Sequence, residues 1–347
     1  MEKEQVNAVP ALSTPWTTRE RVAALGFAAI LLAVPLFETR QFVLHMFSLV
    51  AINSIVALGL QLLFGFSGQL SLGQAAFYGI GAYTSGLLTT KLGFPFPVAI
   101  VASGVAASFV SLLMVPITRL SGVYLAVSTL GFSILVYLVL KNEEWLTGGT
   151  FGFIGIPRVS LFGYVLRNPA YSYLLCVCLA LAVYLGLAQL ERSRFGRAVN
   201  AVRQNEDAAR ASGLPVTLLK SQCFVIAAFV AGIAGSLFAH QVRYLAPDDF
   251  TFWKSIEFLF MVVIGGVGSL FGAVLGTAFV VLLPEALRGI GQYRMLVFGA
   301  LIVIVMLFGA GGLVGFLRSV GAALRGLITR NTKARSAATL PRAAPHE

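Results

Sequence analysis

The chain has 347 residues, 58% of them hydrophobic and only 11% charged, with a mean hydropathy of +0.86. A soluble domain carries roughly twice that charged fraction, and several apolar runs reach the ~18 residues that read as a membrane span, so the composition excludes a soluble globular protein. The net charge of +11 does not indicate nucleic acid, because the basic residues lie between apolar runs and at the C-terminus, where they act as orientation signals and headgroup contacts.

In chain order, residues 1–21 balance Lys3, Arg19 and Arg21 against Glu2, Glu4 and Glu20, and read as a cytoplasmic segment. The apolar run that follows continues into further spans, so it is expected to be retained and not removed as a signal peptide. Helical spans are expected at about 22–37, 42–64, 71–90, 98–118, 122–140, 171–190, 218–240, 254–268, 270–287 and 293–310, following the apolar periodicity. The fold class is thus an all-α polytopic membrane protein of about ten transmembrane helices, with residues 22–310 as one transmembrane domain. Within 254–310, "GGVGSLFG" reads either as a tight turn between two short spans or as a break in one longer excursion.

Ten spans place both termini on one side. With the N-terminus inside, 16 of the 25 Lys and Arg residues fall in inside segments, the bias expected for cytoplasmic loops. The loop 191–217 and the basic tail 311–347 are then cytoplasmic. The tail turns rich in Ala, Arg, Thr and Pro from about Thr329, a composition expected to be disordered and to sit near anionic lipid. Two longer outside segments, 141–170 with "NEEWLTGGTFGFIGIP" and 241–253 with "QVRYLAPDDF", mix acids, Gly, Pro and aromatics. They read as a docking surface or a short surface helix, or as structured connecting loops.

The densest charge lies in "SRFGRAVNAVRQNEDAARASGLP", Ser193 to Pro215. Asn205 is a good N-cap, and Glu206 and Asp207 fall in the first turn, where negative charge meets the helix dipole. Glu206 and Arg210 form an i,i+4 pair in the favourable order. Gly213 ends the helix and Pro215 prevents its resumption. The result is a helix of about two turns, too short to span a membrane, with small Ala208, Ala209 and Ala211. It suits insertion into a cleft on a soluble partner, and it equally suits an ordinary solvated loop.

The spacing Asp207-Ala208-Ala209, three residues, Gly213 resembles the E-A-A-x3-G signature of ABC-importer permeases, with Asp in place of Glu and without the later I-x-L-P element at its usual distance. Three longer segments resemble branched-chain amino acid permeases of the LivM type: "FGRAVNAVRQNEDAARASGLPVTLLKSQCFVIAAFVAGIAGSLFAH", "LLFGFSGQLSLGQAAFYGIGAYTSGLL" and "VIGGVGSLFGAVLGTAFVVLLPEALR". The resemblance covers about residues 40–310. It implies a type II ABC-importer-like permease bundle in the bacterial inner membrane. It also implies a coupling helix carrying Arg203, Glu206, Asp207, Ala208, Ala209, Arg210 and Gly213, and alternating access for Leu, Ile or Val. The implied partners are a sister permease, two cytoplasmic ATPase subunits that hold ATP and Mg, and a periplasmic or lipid-anchored substrate-binding protein.

"SGQLSLGQAAFYGIGAY" sets Gln69, Ser71, Gln74, Tyr78 and Tyr83 among glycines. Polar groups and broken backbone at membrane depth are tolerated inside a bundle or beside a cavity, so this segment is expected to lie inward, interrupted near Gly68. Tyr124, Ser128 and Thr129 add a second polar inset. These residues read either as lining a translocation path or as interhelical hydrogen bonds in close packing. Gly268, Gly272 and Gly276, four apart, read as one helix-packing face, within the chain or against a second permease.

No G-x-x-x-x-G-K-[ST] occurs in the chain, so no cofactor is expected on it and any ATP drive belongs to partners. Glu257 and Glu285 sit near span ends and read as interface residues, not a proton relay. His45 and His240 lack partners at metal-ligand spacing and read as structural. Cys176, Cys178 and Cys223 lie in apolar runs and read as buried spectators. A mostly apolar path with scattered hydroxyls and amides fits branched-chain amino acids, but also urea or short amides. A self-sufficient secondary carrier, which should carry intramembrane charge, and a non-transporting scaffold remain as other classes.

Overall fold

The computed structural model describes residues 40–120, 122–161, 164–308 and 312–315. The N-terminal segment, the first expected span and the tail beyond 315 lie outside them. The α-helices of six or more residues in chain order are α1 (Gln41–Leu60), α2 (Gln74–Thr90), α3 (Phe96–Leu112), α4 (Val123–Asn142), α5 (Pro169–Arg192), α6 (Arg194–Gln204), α7 (Glu206–Ala211), α8 (Val216–Val242), α9 (Phe252–Gly265), α10 (Leu270–Ala286) and α11 (Arg294–Phe308), with one further turn of helix at Glu144–Thr147. Each of the nine expected spans within the described residues meets one of these helices. Among the described residues, five segments are long and apolar enough to cross a membrane: 41–66, 123–142, 169–192, 216–242 and 270–289.

α1 is apolar on every side and buried along most of its length, as expected of a helix at the centre of a bundle. It packs against α5, α8 and α10, while α8 packs against α2 and α3. In lipid, apolar burial does not itself drive helices together; close backbone approach and interhelical hydrogen bonds do. The central contacts follow that rule. A Cβ added at Gly81 would overlap the Gly232 carbonyl of α8, and one at Gly235 would overlap the Tyr78 carbonyl of α2. By contrast α4, α5 and α10 are only about one-third buried, so they present apolar faces outward.

Two boundaries differ from expectation. The third described span ends at Leu112 and passes into a 3₁₀ turn, Val115–Arg119, because Pro116 lacks an amide hydrogen and disfavours helical backbone at Val115. α2 begins at Gln74, not 71, because α1 widens into a π-turn, Gln61–Phe66, and residues 67–73 leave the helix. The interruption does lie at Gly68, whose φ of +71° is costly for any residue with a Cβ. In the "GGVGSLFG" region the chain makes a tight turn between α9 and α10. Gly268 lies in that turn with φ +90°, so it is not on the glycine face of α10 as the four-residue spacing suggested. Gly272 and Gly276 are on that face, and they meet Gly265 and Met261 of α9 within the same chain.

Of the three cysteines, Cys176 and Cys223 are buried but Cys178 is exposed. One position along a helix turns by about 100°, so the C-x-C pair of α5 points to different surroundings. At the start of the expected tail, residues 312–315 are helical, and Gly312 packs against the Gly265–Gly266 backbone.

The two long segments 141–170 and 241–253 pair with each other. β1 (Phe153–Ile154) runs antiparallel to β4 (Tyr244–Leu245), with Phe153 opposite Leu245, and β2 (Ser160–Leu161) pairs with β3 (Tyr164–Val165). Tyr137 donates to Asp248 at 2.9 Å and Lys91 to the Trp145 carbonyl at 2.9 Å. The assembled surface exposes Trp145, Phe151 and Ile154.

Candidate functional site

The charged segment Ser193 to Pro215 folds as two helices. α6 was not expected. Its signals are Ser193, whose hydroxyl accepts from the Gly196 amide at 3.3 Å, and the spacing of Phe195, Ala198, Val199 and Val202. Those apolar residues pack inward while Arg194 and Arg197 stay exposed, the arrangement of an amphipathic surface helix. α7 is the short helix expected from the caps. Asn205 accepts from the Ala208 amide at 3.0 Å. At the other end Leu214 donates to the Ala209 carbonyl and Gly213 to that of Arg210, a Schellman closure with Gly213 at φ +81°.

The faces of α7 are not equivalent. Asp207, Ala208, Ala211 and Ser212 are exposed, but Ala209 is 4% exposed and packs into the chain. The small-residue surface that another body can approach therefore excludes Ala209. Glu206 uses both carboxylate oxygens: Oε1 meets Arg210 at 2.7 Å and Oε2 meets Lys220, in the first turns of α8, at 2.5 Å. Arg203 belongs to the last turn of α6, not to α7. Its guanidinium donates to the Gly65 carbonyl in the π-turn, and burial draws its pKa below the ordinary value, though an arginine stays charged.

The expected path residues fall into three groups. Around the break, Gln69 donates to Ser67 Oγ at 2.8 Å and to the Lys220 carbonyl at 3.1 Å. Ser71 accepts from Gly73, and Thr129 Oγ1 accepts from the Leu72 amide at 2.9 Å. Here polar side chains satisfy backbone that the broken helix leaves without partners. Further along α2, Gln74 and Tyr78 are fully buried, and neither the Gln74 amide nor the Tyr78 hydroxyl has a partner among the described residues. The Tyr78 ring lies 5.3–5.6 Å from Phe238, Phe250 and Phe258, inside an aromatic cluster, not beside open space. Tyr83 donates to the Leu245 carbonyl at 3.4 Å. Ser128 stands apart, half-exposed on α4 and bonded to the Tyr124 carbonyl.

Sequence reasoning missed Gln61. With its amide oriented to satisfy its neighbours, the side-chain oxygen accepts from the amides of Gly268 and of Ser269, the latter at 2.6 Å. α9, at 14 residues, is about 21 Å long, too short for a hydrocarbon core of about 30 Å. The turn after it needs hydrogen-bond partners from protein, and Gln61 supplies them.

His240 and His45 are both held in hydrogen bonds within the bundle. His240 Nδ1 lies 2.9 Å from the Pro157 carbonyl, which can only accept, so Nδ1 carries the proton. Nε2 then accepts from Ser85 at 3.0 Å, and Ser236 donates to Ser85 at 2.7 Å. His45 pairs with Gln241 at 3.2 Å. Glu257 and Glu285 each pair with a basic residue three positions away, Lys254 and Arg288. On its outer face α4 carries a groove of about 410 Å³ lined by aliphatic side chains including Ile134, Leu135, Leu138 and Val139, closed by Asn142 and Glu143.

The family model described as branched-chain amino acid transport system / permease component matches residues 42–306, from the first turn of α1 into α11. The chain belongs to that permease family. The permease is 34% identical to the high-affinity branched-chain amino acid transport system permease protein LivM of Salmonella typhimurium, over 87% of this chain and 76% of that protein. Identity to LivM of Escherichia coli K12 is 33% over the same shares. A more distant relative, at 24% over 77% of this chain and 79% of its own length, is the autoinducer 2 import system permease protein LsrC of Escherichia coli. No solved structure matches the permease. Its family and its apolar helices make it a multi-pass, all-α membrane protein of the ABC transporter class.

Proposed function

We propose that this chain is the membrane-spanning subunit of an ATP-driven importer that carries branched-chain amino acids into the cytoplasm by alternating access. The observation that carries the reading is the family match from 42 to 306, with identity to the two LivM proteins above that to LsrC. The cytoplasmic loop supports it: α7 is short, capped at both ends and exposed on one small-residue face, a shape suited to a cleft in a soluble motor. ATP and Mg act on two partner ATPases, whose closure displaces α7.

A sister permease covers the outward face of α4, where the groove beside Leu135 and Leu138 offers aliphatic walls to an aliphatic side chain. The outer surface joined by β1 and β4, with Trp145, Phe151 and Ile154 exposed, receives a substrate-binding protein. The complex resides in the bacterial inner membrane with both termini of this chain cytoplasmic.

The test is isolation of the tagged chain from its native membrane in mild detergent, with partners identified by mass spectrometry, followed by uptake of labelled Leu, Ile and Val into proteoliposomes holding the complex. ATPases, a second permease and ATP-dependent uptake support the proposal. A chain that moves solute alone refutes it.

A further inference from the structure

We propose that Arg203 and the Glu206–Lys220 pair form a two-point latch that ties the cytoplasmic loop to the broken end of α1 and transmits displacement of α7 to it. The latch rests on the importer reading above. Its first point is direct: Arg203 reaches from the last turn of α6 to the Gly65 carbonyl, with its stem packed over Gly68, where a Cβ would lie 3.4 Å from Arg203 Cγ. That carbonyl is available because the helix stops after Phe66, and the last carbonyls of a stopped helix need partners from elsewhere.

The second point runs through one residue. Lys220 takes Glu206 of α7 on its ammonium at 2.5 Å and Gln69 of the break on its own carbonyl at 3.1 Å. Both points therefore end between Gly65 and Gln69. Charge-assisted hydrogen bonds are short and stiff, and the Lys220 side chain is only 8% exposed, so α7 does not shift independently of the break while they hold.

The break in turn touches the rest of the bundle at three places. Leu72 donates to Thr129 of α4, Ala75 donates to Ser255 of α9 at 3.0 Å, and Gln61 holds the turn before α10. Movement at 65–69 thus reaches α4, α9 and α10 through hydrogen bonds and not through packing alone. Arg203 and Lys220 are positioning residues in this scheme; neither needs to touch substrate or nucleotide.

The experiment uses the complete reconstituted transporter and measures uptake against ATP hydrolysis. Arg203→Ala is expected to leave hydrolysis near the native rate and to lower uptake per ATP by about tenfold, within the range of known coupling energies. Glu206→Lys and Lys220→Glu should each do the same, and the double exchange Glu206→Lys/Lys220→Glu should restore uptake, which a merely destabilised loop would not.

A second measurement follows the break itself. Alkylation of Leu72→Cys, in a chain whose native cysteines are replaced by serine, should change in rate when ATP and vanadate are added, and the change should vanish with Arg203→Ala. Native uptake per ATP in Arg203→Ala, or a nucleotide response at Leu72→Cys that survives without Arg203, overturns the latch alone. A chain that assembles with no ATPase overturns the importer reading and the latch with it.

Discussion

Lys220 meets Glu206 at 2.5 Å while its own backbone carbonyl accepts from Gln69 at 3.1 Å. One residue thus joins the charged helix α7 to the broken end of α1. Its side chain is nearly buried, and that of Glu206 is 30% exposed. Glu206→Gln leaves the lysine charge poorly compensated in a dry setting, at a cost of about 1–3 kcal/mol. The thermal midpoint in detergent should fall accordingly. Asp207→Asn, on the exposed face, should leave it unchanged.

α7 separates two kinds of substitution. Ala208→Trp adds bulk to an exposed face, so the chain should fold and migrate as a single species yet lose co-purification with ATPase partners. Ala209→Trp forces the same bulk into a packed site, which costs about 1–3 kcal/mol or more. It should lower yield and midpoint before any question of docking arises. Size-exclusion profiles of the two variants, compared side by side, check the distinction.

The α2–α8 crossing should tolerate no side chain. Gly235→Val would press a branched Cβ into the Tyr78 carbonyl, and the backbone of two core helices would have to part. A loss of folded protein, equivalent to several kcal/mol, is expected. Gly131→Ala and Gly186→Ala, where added carbons meet nothing within 4 Å, should express as the native chain does. Expression and monodispersity after detergent extraction provide the readout.

His240 holds the segment 153–161 from inside the bundle. His240→Ala removes the donor to the Pro157 carbonyl and leaves Ser85 without its acceptor. The segment 153–161 should then open more often and be cut faster by protease added to the detergent-solubilised protein. His240→Gln can keep a donor near the carbonyl, so it should restore part of the protection.

The helices and their order were legible because hydropathy and caps are local. Asn205, Glu206 and Gly213 define α7 with no help from the rest of the chain, and "SGQLSLG" announces a break at Gly68. Gly268 misled because spacing alone cannot say whether a glycine sits on a helix or in the turn before it. Cys178 and Ala209 misled for a related reason: composition marks a segment as apolar or small-sided, but the direction of each side chain depends on what packs beside it.

The chain's class, the approximate positions of the spans within the described residues, its charged segment at 193–215 and its family follow from the sequence by itself, since each rests on local composition or a contiguous motif. Tertiary structure alone decided that Arg203 turns toward Gly65, that Gln61 serves a turn more than 200 residues away, and that the segments 141–170 and 241–253 pair through Phe153 and Leu245. The physical reason is that a broken helix leaves backbone groups in need of partners. Water cannot supply them inside a membrane, so remote side chains must, and their identity is set by the packing of the whole bundle.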